Sequence, residues 1–302
     1  MLNNIAKFKH QFEQFNMQVT APDVVQTLSE DELIDLVPKH HGWIIGDDPA
    51  TKEVFQAGVL GNLRAAVKWG IGTDNVDFNA CRKLGIPIKN TPGLFGTEVA
   101  DLAICYLLGL ARDAFQIDRE VRKGDWLKPA GVSLPGKVLG IVGLGDIGTN
   151  IAHRAHAHGL RIIAWDPCAS DVPDYIQLQK KWPEMLSICD FLVFACALNE
   201  TNYHIFNKTI LEHLKMGVRV INISRGALVN EEALLEGLKS GLIHGAALDV
   251  YEIEPVLKSN ELLNHPKCIF GSHNGSNTIE AVERASTIAI SLLHNFLNES
   301  AI

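Results

Sequence analysis

Three residues in the second half of the chain bring together a cation, a carboxylate and an imidazole. Arg225 lies in Val220-Ile221-Asn222-Ile223-Ser224-Arg225-Gly226, Glu254 in Leu248-Asp249-Val250-Tyr251-Glu252-Ile253-Glu254-Pro255, and His273 in Phe270-Gly271-Ser272-His273-Asn274-Gly275. Each follows an apolar run that reads as a buried strand, and open α/β sheets form their ligand sites at the carboxyl ends of strands. These types suit hydride transfer to the C2 carbonyl of a 2-keto acid. A protonated His supplies the proton as charge builds on the carbonyl oxygen. A carboxylate on the other ring nitrogen fixes the tautomer and favours the charged imidazole. An Arg holds the substrate carboxylate in a two-pronged grip and polarises the carbonyl. Taken singly, each has a plainer reading: a surface Arg, a turn carboxylate before a proline, a helix-entry His. Their joint placement is what argues for chemistry.

A hydride needs a carrier, and the chain contains the motif for one. Val138-Leu139-Gly140-Ile141-Val142 runs into Gly143-Leu144-Gly145-Asp146-Ile147-Gly148, a G-x-G-x-x-G turn between a strand and a helix. Gly143 allows the tight turn, Gly145 lets the backbone approach a pyrophosphate, and Gly148 permits close helix–strand packing. The helix start at Asp146 and Ile147 offers free N–H groups to phosphates. A second strand, Arg161–Trp165, ends at Asp166, placed to accept hydrogen bonds from the adenosine ribose hydroxyls. No Arg follows to hold a 2′-phosphate, so NAD is expected rather than NADP. A glycine turn in a plain βαβ unit is the bland alternative.

The elements that must position these groups alternate along the whole chain, the pattern of an α/β protein. In the first third, strands are expected near Gln18–Thr20, Trp43–Gly46, Ala65–Trp69 and Ile86–Lys89. Helices are expected from the capping box Ser29-x-x-Glu32 and from Thr51. One long periodic stretch, Thr97 to Arg122, reads as a single helix of close to 40 Å. Further strands are expected at Val138–Val142, Arg161–Trp165, Phe191–Phe194, Val218–Ile223, Gly245–Val250 and Cys268–Phe270. Helices fall at Ile147–His158, Glu231–Ser240 and Thr278–Leu297.

Composition excludes several classes. The 302 residues are 47% hydrophobic and 21% charged, with a formal net charge of −8. No basic cluster offers a nucleic-acid footprint, and no apolar run is long enough for a membrane span. The N-terminal residues lack the apolar core of a secretory signal. The cysteines Cys81, Cys105, Cys168, Cys189, Cys196 and Cys268 form no CxxC pair, so no metal site is expected and the protein reads as cytoplasmic with reduced thiols.

From about Trp43 to Ala285 the chain resembles the D-isomer-specific 2-hydroxyacid dehydrogenases, and within them most of all the D-3-phosphoglycerate dehydrogenases. The segments carrying the resemblance are 68–77 (KWGIGTDNVD), the Gly143–Gly148 turn, 224–229 (SRGALV), 245–250 (GAALDV) and 272–275 (SHNG). The resemblance implies that Arg225 holds substrate and that Glu254 with His273 forms the acid–base pair. It gives backbone N–H groups of Gly70, Ile71 and Gly72 to the substrate carboxylate, and brings Asp249 to the nicotinamide amide. It implies two Rossmann-like doubly wound domains with a cleft between them: 1–94 with 275–302 binding substrate, and 95–274 binding NAD. It also implies a homodimer formed through the coenzyme domain and the helix after Thr97, and a chain without the regulatory domain of longer members. Two departures stand out: residues 195–201 lack the proline-rich form usual there, and Asn274 replaces a small apolar residue.

The substrate is expected to be 3-phosphohydroxypyruvate, because Lys68, two residues before Gly70, and Lys128 would offer ammonium groups to a phosphate. Hydroxypyruvate and glyoxylate are the alternatives, and solvated surface lysines the plainer reading. The acids of Gly46-Asp47-Asp48-Pro49 weigh against a phosphate. An NAD-sensing, corepressor-like binding protein is the competing class; formate oxidation is disfavoured, since it needs no general acid.

Overall fold

The computed structural model describes residues 5–24, 26–179 and 181–299. The chain divides into two compact units: one takes the residues up to Phe95 together with those from Asn277 on, and the other runs Gly96–Ser276.

The discontinuous unit holds a three-stranded parallel sheet, β1 (Gly42–Ile45), β2 (Ala65–Lys68) and β3 (Ile88–Asn90), in the order β1-β2-β3. Alternation along the strands sends their side chains to opposite faces. Ile45 and Ala66 face a core with Leu33 of α2 (Glu30–Leu36), Val54 and Phe55 of α3 (Lys52–Leu60), and Cys81 of α4 (Phe78–Leu84). Ala65 and Val67 face Ala289 and Leu293 of α10 (Ile279–Glu299), and Phe8 and Phe12 of α1 (Ile5–Gln14) pack on Val282 and Ile290 of that helix. The Ser29 capping box forms, with the Ser29 side chain accepting from the Glu32 N–H and the Glu32 carboxylate accepting from the Ser29 N–H, and Thr51 caps α3. The strand expected at Gln18–Thr20 does not form. That segment has no regular structure, and Thr20 makes a side-chain bond to His40 Nε2 at 2.8 Å instead of joining a ladder.

The continuous unit holds a seven-stranded parallel sheet. In chain order its strands are β4 (Val138–Val142), β5 (Arg161–Trp165), β6 (Ile176–Gln179), β7 (Phe191–Phe194), β8 (Val218–Asn222), β9 (Ile243–Leu248) and β10 (Cys268–Phe270). In space they run β10-β9-β8-β7-β4-β5-β6. The chain starts in the middle at β4, moves outward to β6, crosses back to β7 and moves outward again. The order reverses between β4 and β7, and such a switch point opens a crevice at the carboxyl ends of the strands. β4, β7 and β8 are buried along their whole length, as a parallel sheet covered on both faces requires.

The stretch read as one 40 Å helix is two: α5 (Gly96–Arg112) and α6 (Ala114–Lys123). Asp113 between them has φ +50°, a left-handed conformation that costs a non-glycine residue. Its carboxylate, almost fully buried, bonds His244 Nε2 at 3.1 Å, and this long-range contact overrides the local helical pattern. Helices α7 (Asp146–Ala157) and α9 (Glu231–Lys239) stand where expected, with one short extra helix, α8 (Lys208–Leu211). All six cysteines are free; Cys81, Cys189 and Cys268 are buried, Cys105 and Cys168 exposed. No helix among the described residues is long and apolar enough to cross a membrane.

Candidate active site

The turn after β4 has the geometry a dinucleotide phosphate requires. Gly143 adopts φ +95°, and a Cβ there would lie 2.6 Å from Cys196, just past β7. A Cβ on Gly148 would lie 2.1 Å from the Gly143 carbonyl oxygen, whereas one on Gly145 would meet nothing within 4 Å. Two glycines are therefore forced by close packing, and the third leaves open space before the helix. The first-turn N–H groups of α7, at Asp146, Ile147 and Gly148, have no acceptor inside the helix, and Gly145 supplies no side-chain cap. The Asp146 carboxylate lies against Gly96, where any side chain would collide with it, and accepts from Asn150 Nδ2 at 3.1 Å. Asp166 does more than wait for a ribose. Its Oδ2 accepts the Leu144 N–H at 2.7 Å, and its Oδ1 accepts the Cys168 N–H at 2.8 Å. The acid thus ties the glycine turn to the end of β5. A short open cradle with unsatisfied N–H groups and an adjacent carboxylate fits an NAD pyrophosphate and ribose.

The segment 195–202, which lacks prolines, is held by side-chain hydrogen bonds. Asn199 accepts from the Thr201 N–H at 2.9 Å, and Asn202 accepts from the Asn199 N–H and donates to the Ala197 carbonyl, both at 2.7 Å. Ser224 Oγ donates to the Cys196 carbonyl. Burial pushes the Cys196 thiol up to about 11, so it is a packing group under the turn.

Arg225, Glu254 and His273 follow the adjacent strands β8, β9 and β10. The His273 Nδ1–Glu254 Oε2 distance is 2.7 Å, with both side chains about a quarter exposed. Glu254 Oε1 accepts the Tyr251 N–H at 3.0 Å, so both carboxylate oxygens are engaged and the carboxylate cannot swing away from the ring. His273 has φ +55°. Its N–H donates to the Asp249 carbonyl at 2.6 Å, and the Asp249 carboxylate accepts the N–H groups of Asn274 at 3.1 Å and Gly275 at 2.8 Å. Asp249, 1% exposed, is thus a clamp on the turn that presents His273. The same bonds place the Asn274 backbone. Asp249 Oδ1 also accepts the Tyr106 hydroxyl at 3.4 Å. Tyr251 donates its hydroxyl to the Gly271 carbonyl at 2.8 Å; burial first, and then the charges of Asp249 and Glu254, raise its phenol and keep the donor proton in place.

Two residues that sequence reasoning passed over join Arg225 to this pair. Asn222, buried at the end of β8, donates through Nδ2 to the Arg225 carbonyl at 2.8 Å, and its own carbonyl accepts the Asp249 N–H at 2.9 Å. Gly226 lies flat on the Tyr251–Glu252 peptide; a Cβ there would fall 1.9 Å from the Tyr251 carbonyl carbon. Glu231 and Glu252 lock the same loop, each accepting the other's N–H, at 2.7 and 2.8 Å. An Asn inside the run Val-Ile-Asn-Ile was the legible signal for the first; the second shows only in three dimensions. The Arg225 guanidinium donates to the Ser224 carbonyl at 2.8 Å.

The residues expected to bind substrate in the other unit are partly engaged there already. Lys68 is not a solvated surface residue. It is 2% exposed, and its ammonium donates to the Gly46 carbonyl and contacts Asp47 at 3.4 Å. A buried ammonium needs such partners, and the acidic loop after β1 supplies them. Gly70 turns at φ +122°, and its N–H goes to Thr91 Oγ1 at 2.8 Å. The N–H groups of Ile71 and Gly72 bond no acceptor among the described residues, and Ile71 is 37% exposed. Lys128 is exposed in a segment without regular structure.

Comparison with known proteins places the chain in a family. The family described as D-isomer specific 2-hydroxyacid dehydrogenase, NAD binding domain, matches residues 104–275. A hydroxypyruvate reductase of Thermotoga maritima is 34% identical over 91% of this chain and 90% of its own length. A D-3-phosphoglycerate dehydrogenase of Sus scrofa is 36% identical over 86% of this chain but only 49% of its own, so the chain spans about half of that relative. Among solved structures, a glyoxylate reductase from Paecilomyes thermophila superposes with a TM-score of 0.83 at 27% identity, over 96% of this chain and 92% of the other. The TT0316 protein of Thermus thermophilus reaches 0.90 at 29% identity, over 97% and 94%.

Proposed function

The chain belongs to the D-isomer-specific 2-hydroxyacid dehydrogenases, NAD-dependent oxidoreductases of small 2-hydroxy and 2-keto acids, and from that premise we propose that Arg225, Glu254 and His273 carry its reaction, with hydroxypyruvate as the preferred keto acid. The observation that carries the assignment is the 2.7 Å Glu254–His273 pair, set on a strand-end turn beside the Arg225 turn. When bound, NADH supplies the hydride that C2 accepts. Glu254 fixes the proton on Nδ1, so His273 offers Nε2 to the carbonyl oxygen and gives up its proton there. Arg225 binds the substrate carboxylate and polarises the carbonyl. Asp146, Ile147 and Gly148 hold the pyrophosphate through N–H groups, and Asp166 holds the ribose.

The choice of keto acid rests on Lys68. With its ammonium engaged by Gly46 and Asp47, a 3-phosphate loses the cation that best recommended it, and hydroxypyruvate moves ahead of 3-phosphohydroxypyruvate. The Thermotoga relative that matches nearly end to end carries the same activity in its name. The test compares kcat/KM for hydroxypyruvate, glyoxylate and 3-phosphohydroxypyruvate with saturating NADH. Hydroxypyruvate is expected to lead; a lead by the phosphorylated acid overturns the choice and returns attention to Lys128.

A homodimer through the Gly96–Ser276 unit is part of the same proposal. Helix α6 has no buried residue, and Leu108, Phe115, Val121, Trp126 and Leu127 are exposed over that stretch, large apolar side chains that a partner copy would cover. Light scattering on the eluting protein should give twice the chain mass, and Trp126→Glu should shift it toward the monomer.

A further inference from the structure

The sheet of the Gly96–Ser276 unit has a second edge, at the amino ends of its strands, and that edge is not featureless. A cavity of about 470 Å³ opens there, lined by residues 135–138, Arg161, residues 187–188, Asp190 and Lys215. That volume lies in the range of small-molecule sites. Three of the lining side chains are cationic and one is acidic, a local excess of positive charge in a chain whose formal charge is −8.

The acid does not neutralise the cations. Asp190 Oδ1 sits 2.8 Å from Lys215 Nζ and 3.6 Å from Lys137 Nζ, so one carboxylate serves two ammonium groups. Its Oδ2 accepts the Val138 N–H at 2.9 Å, which anchors it to β4. Burial works against its charge, but the bonds from Lys215 and Val138 and the two lysine charges outweigh that and hold the carboxyl below its ordinary value. It therefore stays charged and keeps both lysine heads at the cavity. The Arg161 guanidinium makes no ion pair or hydrogen bond among the described residues, nor does the Ser187 hydroxyl. Isolated surface cations usually point apart into solvent. Here a shared, half-buried counter-ion gathers two of them beside a third that has none.

We infer that this cavity, built on Lys137, Arg161, Lys215 and Asp190, binds a compact polyanion, phosphate- or polycarboxylate-bearing, independently of the coenzyme. Each strand that lines it ends at the coenzyme side. Val138 begins β4 and Gly143 follows it; Arg161 begins β5 and Asp166 follows it; Asp190 precedes β7 and Cys196 lies just beyond its far end. A five-residue strand separates its ends by about 13 Å, too far for one small anion to occupy both sites. Two ammonium groups act as point charges toward an anion, and the guanidinium adds a planar fork.

The test is calorimetric titration of the NADH-saturated protein with inorganic pyrophosphate and, separately, with citrate, at low ionic strength. At least one probe should bind at one site per chain, more weakly as salt is added, without displacing NADH. Arg161→Ala and Lys137→Ala should each weaken binding about tenfold, which corresponds to about 1.4 kcal/mol. Asp190→Asn should weaken it as well, because the two ammonium groups lose the carboxylate that gathers them. Circular dichroism and an unchanged KM for NADH would show each variant folded. Preference for pyrophosphate identifies a phosphorylated ligand, preference for citrate a polycarboxylate, and equal binding a general polyanion site. Absence of saturable binding by either probe, displacement of NADH, or equal affinity in wild type and both alanine variants overturns the inference.

Discussion

Glu254 holds His273 from one side while being held itself from the other: its Oε2 lies 2.7 Å from the imidazole Nδ1, and its Oε1 accepts the Tyr251 N–H at 3.0 Å. The carboxylate is a rigid strut between a loop and a ring, and it fixes the imidazole through its Nδ1.

Removing the ring should therefore remove the acid. His273→Ala is expected to lower kcat by roughly 10²–10⁴-fold, the range for a positioned general acid. Glu254→Gln keeps the shape but loses the charge and one of the two acceptor oxygens, so it should lower kcat by less than His273→Ala does, with KM for the keto acid little changed. Steady-state kinetics of keto-acid reduction check both. A near-normal kcat in His273→Ala would mean that the proton comes from elsewhere.

Gly226 is a stricter test of the arrangement than any charged residue. The methyl of Gly226→Ala would fall 1.9 Å from the Tyr251 carbonyl carbon and oxygen, so the Arg225 turn and the Glu254 loop must separate. Overpacking of this kind costs about 1–3 kcal/mol of stability. The loss in kcat/KM should exceed tenfold in protein that still shows native circular dichroism, because Arg225 and Glu254 both move. Full activity in this variant would show that their spacing does not matter.

Coenzyme choice follows from Asp166. Its charge repels a 2′-phosphate, and NADH is expected to be preferred over NADPH by at least about tenfold in kcat/KM, or about 1.4 kcal/mol. Asp166→Asn removes the charge and keeps one acceptor oxygen for the Leu144 N–H, so the ratio should narrow while NADH turnover survives. Equal use of the two coenzymes by the wild type would contradict this role.

Asp190 links stability to pH. Its folded value is depressed, so it contributes stability that is present above the unfolded carboxylate value and is lost as pH falls through the folded one. Asp190→Asn should cost about 1–3 kcal/mol at neutral pH, the scale of hydrogen bonds to a charged group. Below the folded value the wild type also carries a neutral side chain there, and the two denaturation midpoints should converge. A gap that stays constant with pH would assign the loss to packing instead.

What could be read from the sequence was what local chemistry decides. The Ser29–Glu32 box, the Thr51 cap and the apolar strands β4, β5, β7 and β10 depend on neighbours in the chain, and they form at the expected residues. The Glu254–His273 pair was legible because each residue closes a strand-end segment of distinctive types. What stayed hidden depends on contacts far along the chain. Asp113 breaks a helix because His244 lies 131 residues away in sequence and within hydrogen-bond reach. Lys68 looked free because its partners, Gly46 and Asp47, come from the loop after a neighbouring strand. Strand β6, half-exposed Ile-Gln-Leu-Gln at the sheet edge, has too little apolar character to announce itself.

The return of the chain to its first unit has a consequence for how the protein is made. Helix α10 covers one face of the three-stranded sheet: Leu293 lies against Gly42, Ser286 accepts from the Trp69 indole at 3.2 Å, and Thr287 accepts from Gln11 at 3.0 Å. On the ribosome, every residue of the Gly96–Ser276 unit emerges before that helix does. The middle of the protein can therefore fold while its beginning waits, with Ala65 and Val67 still uncovered. Domains fold as units in the order in which they become complete, and here the unit synthesised first is completed last. A chain that stalls before Ile279 would carry a finished coenzyme domain and an exposed apolar sheet face, a state that chaperones and proteases can tell apart from the mature protein.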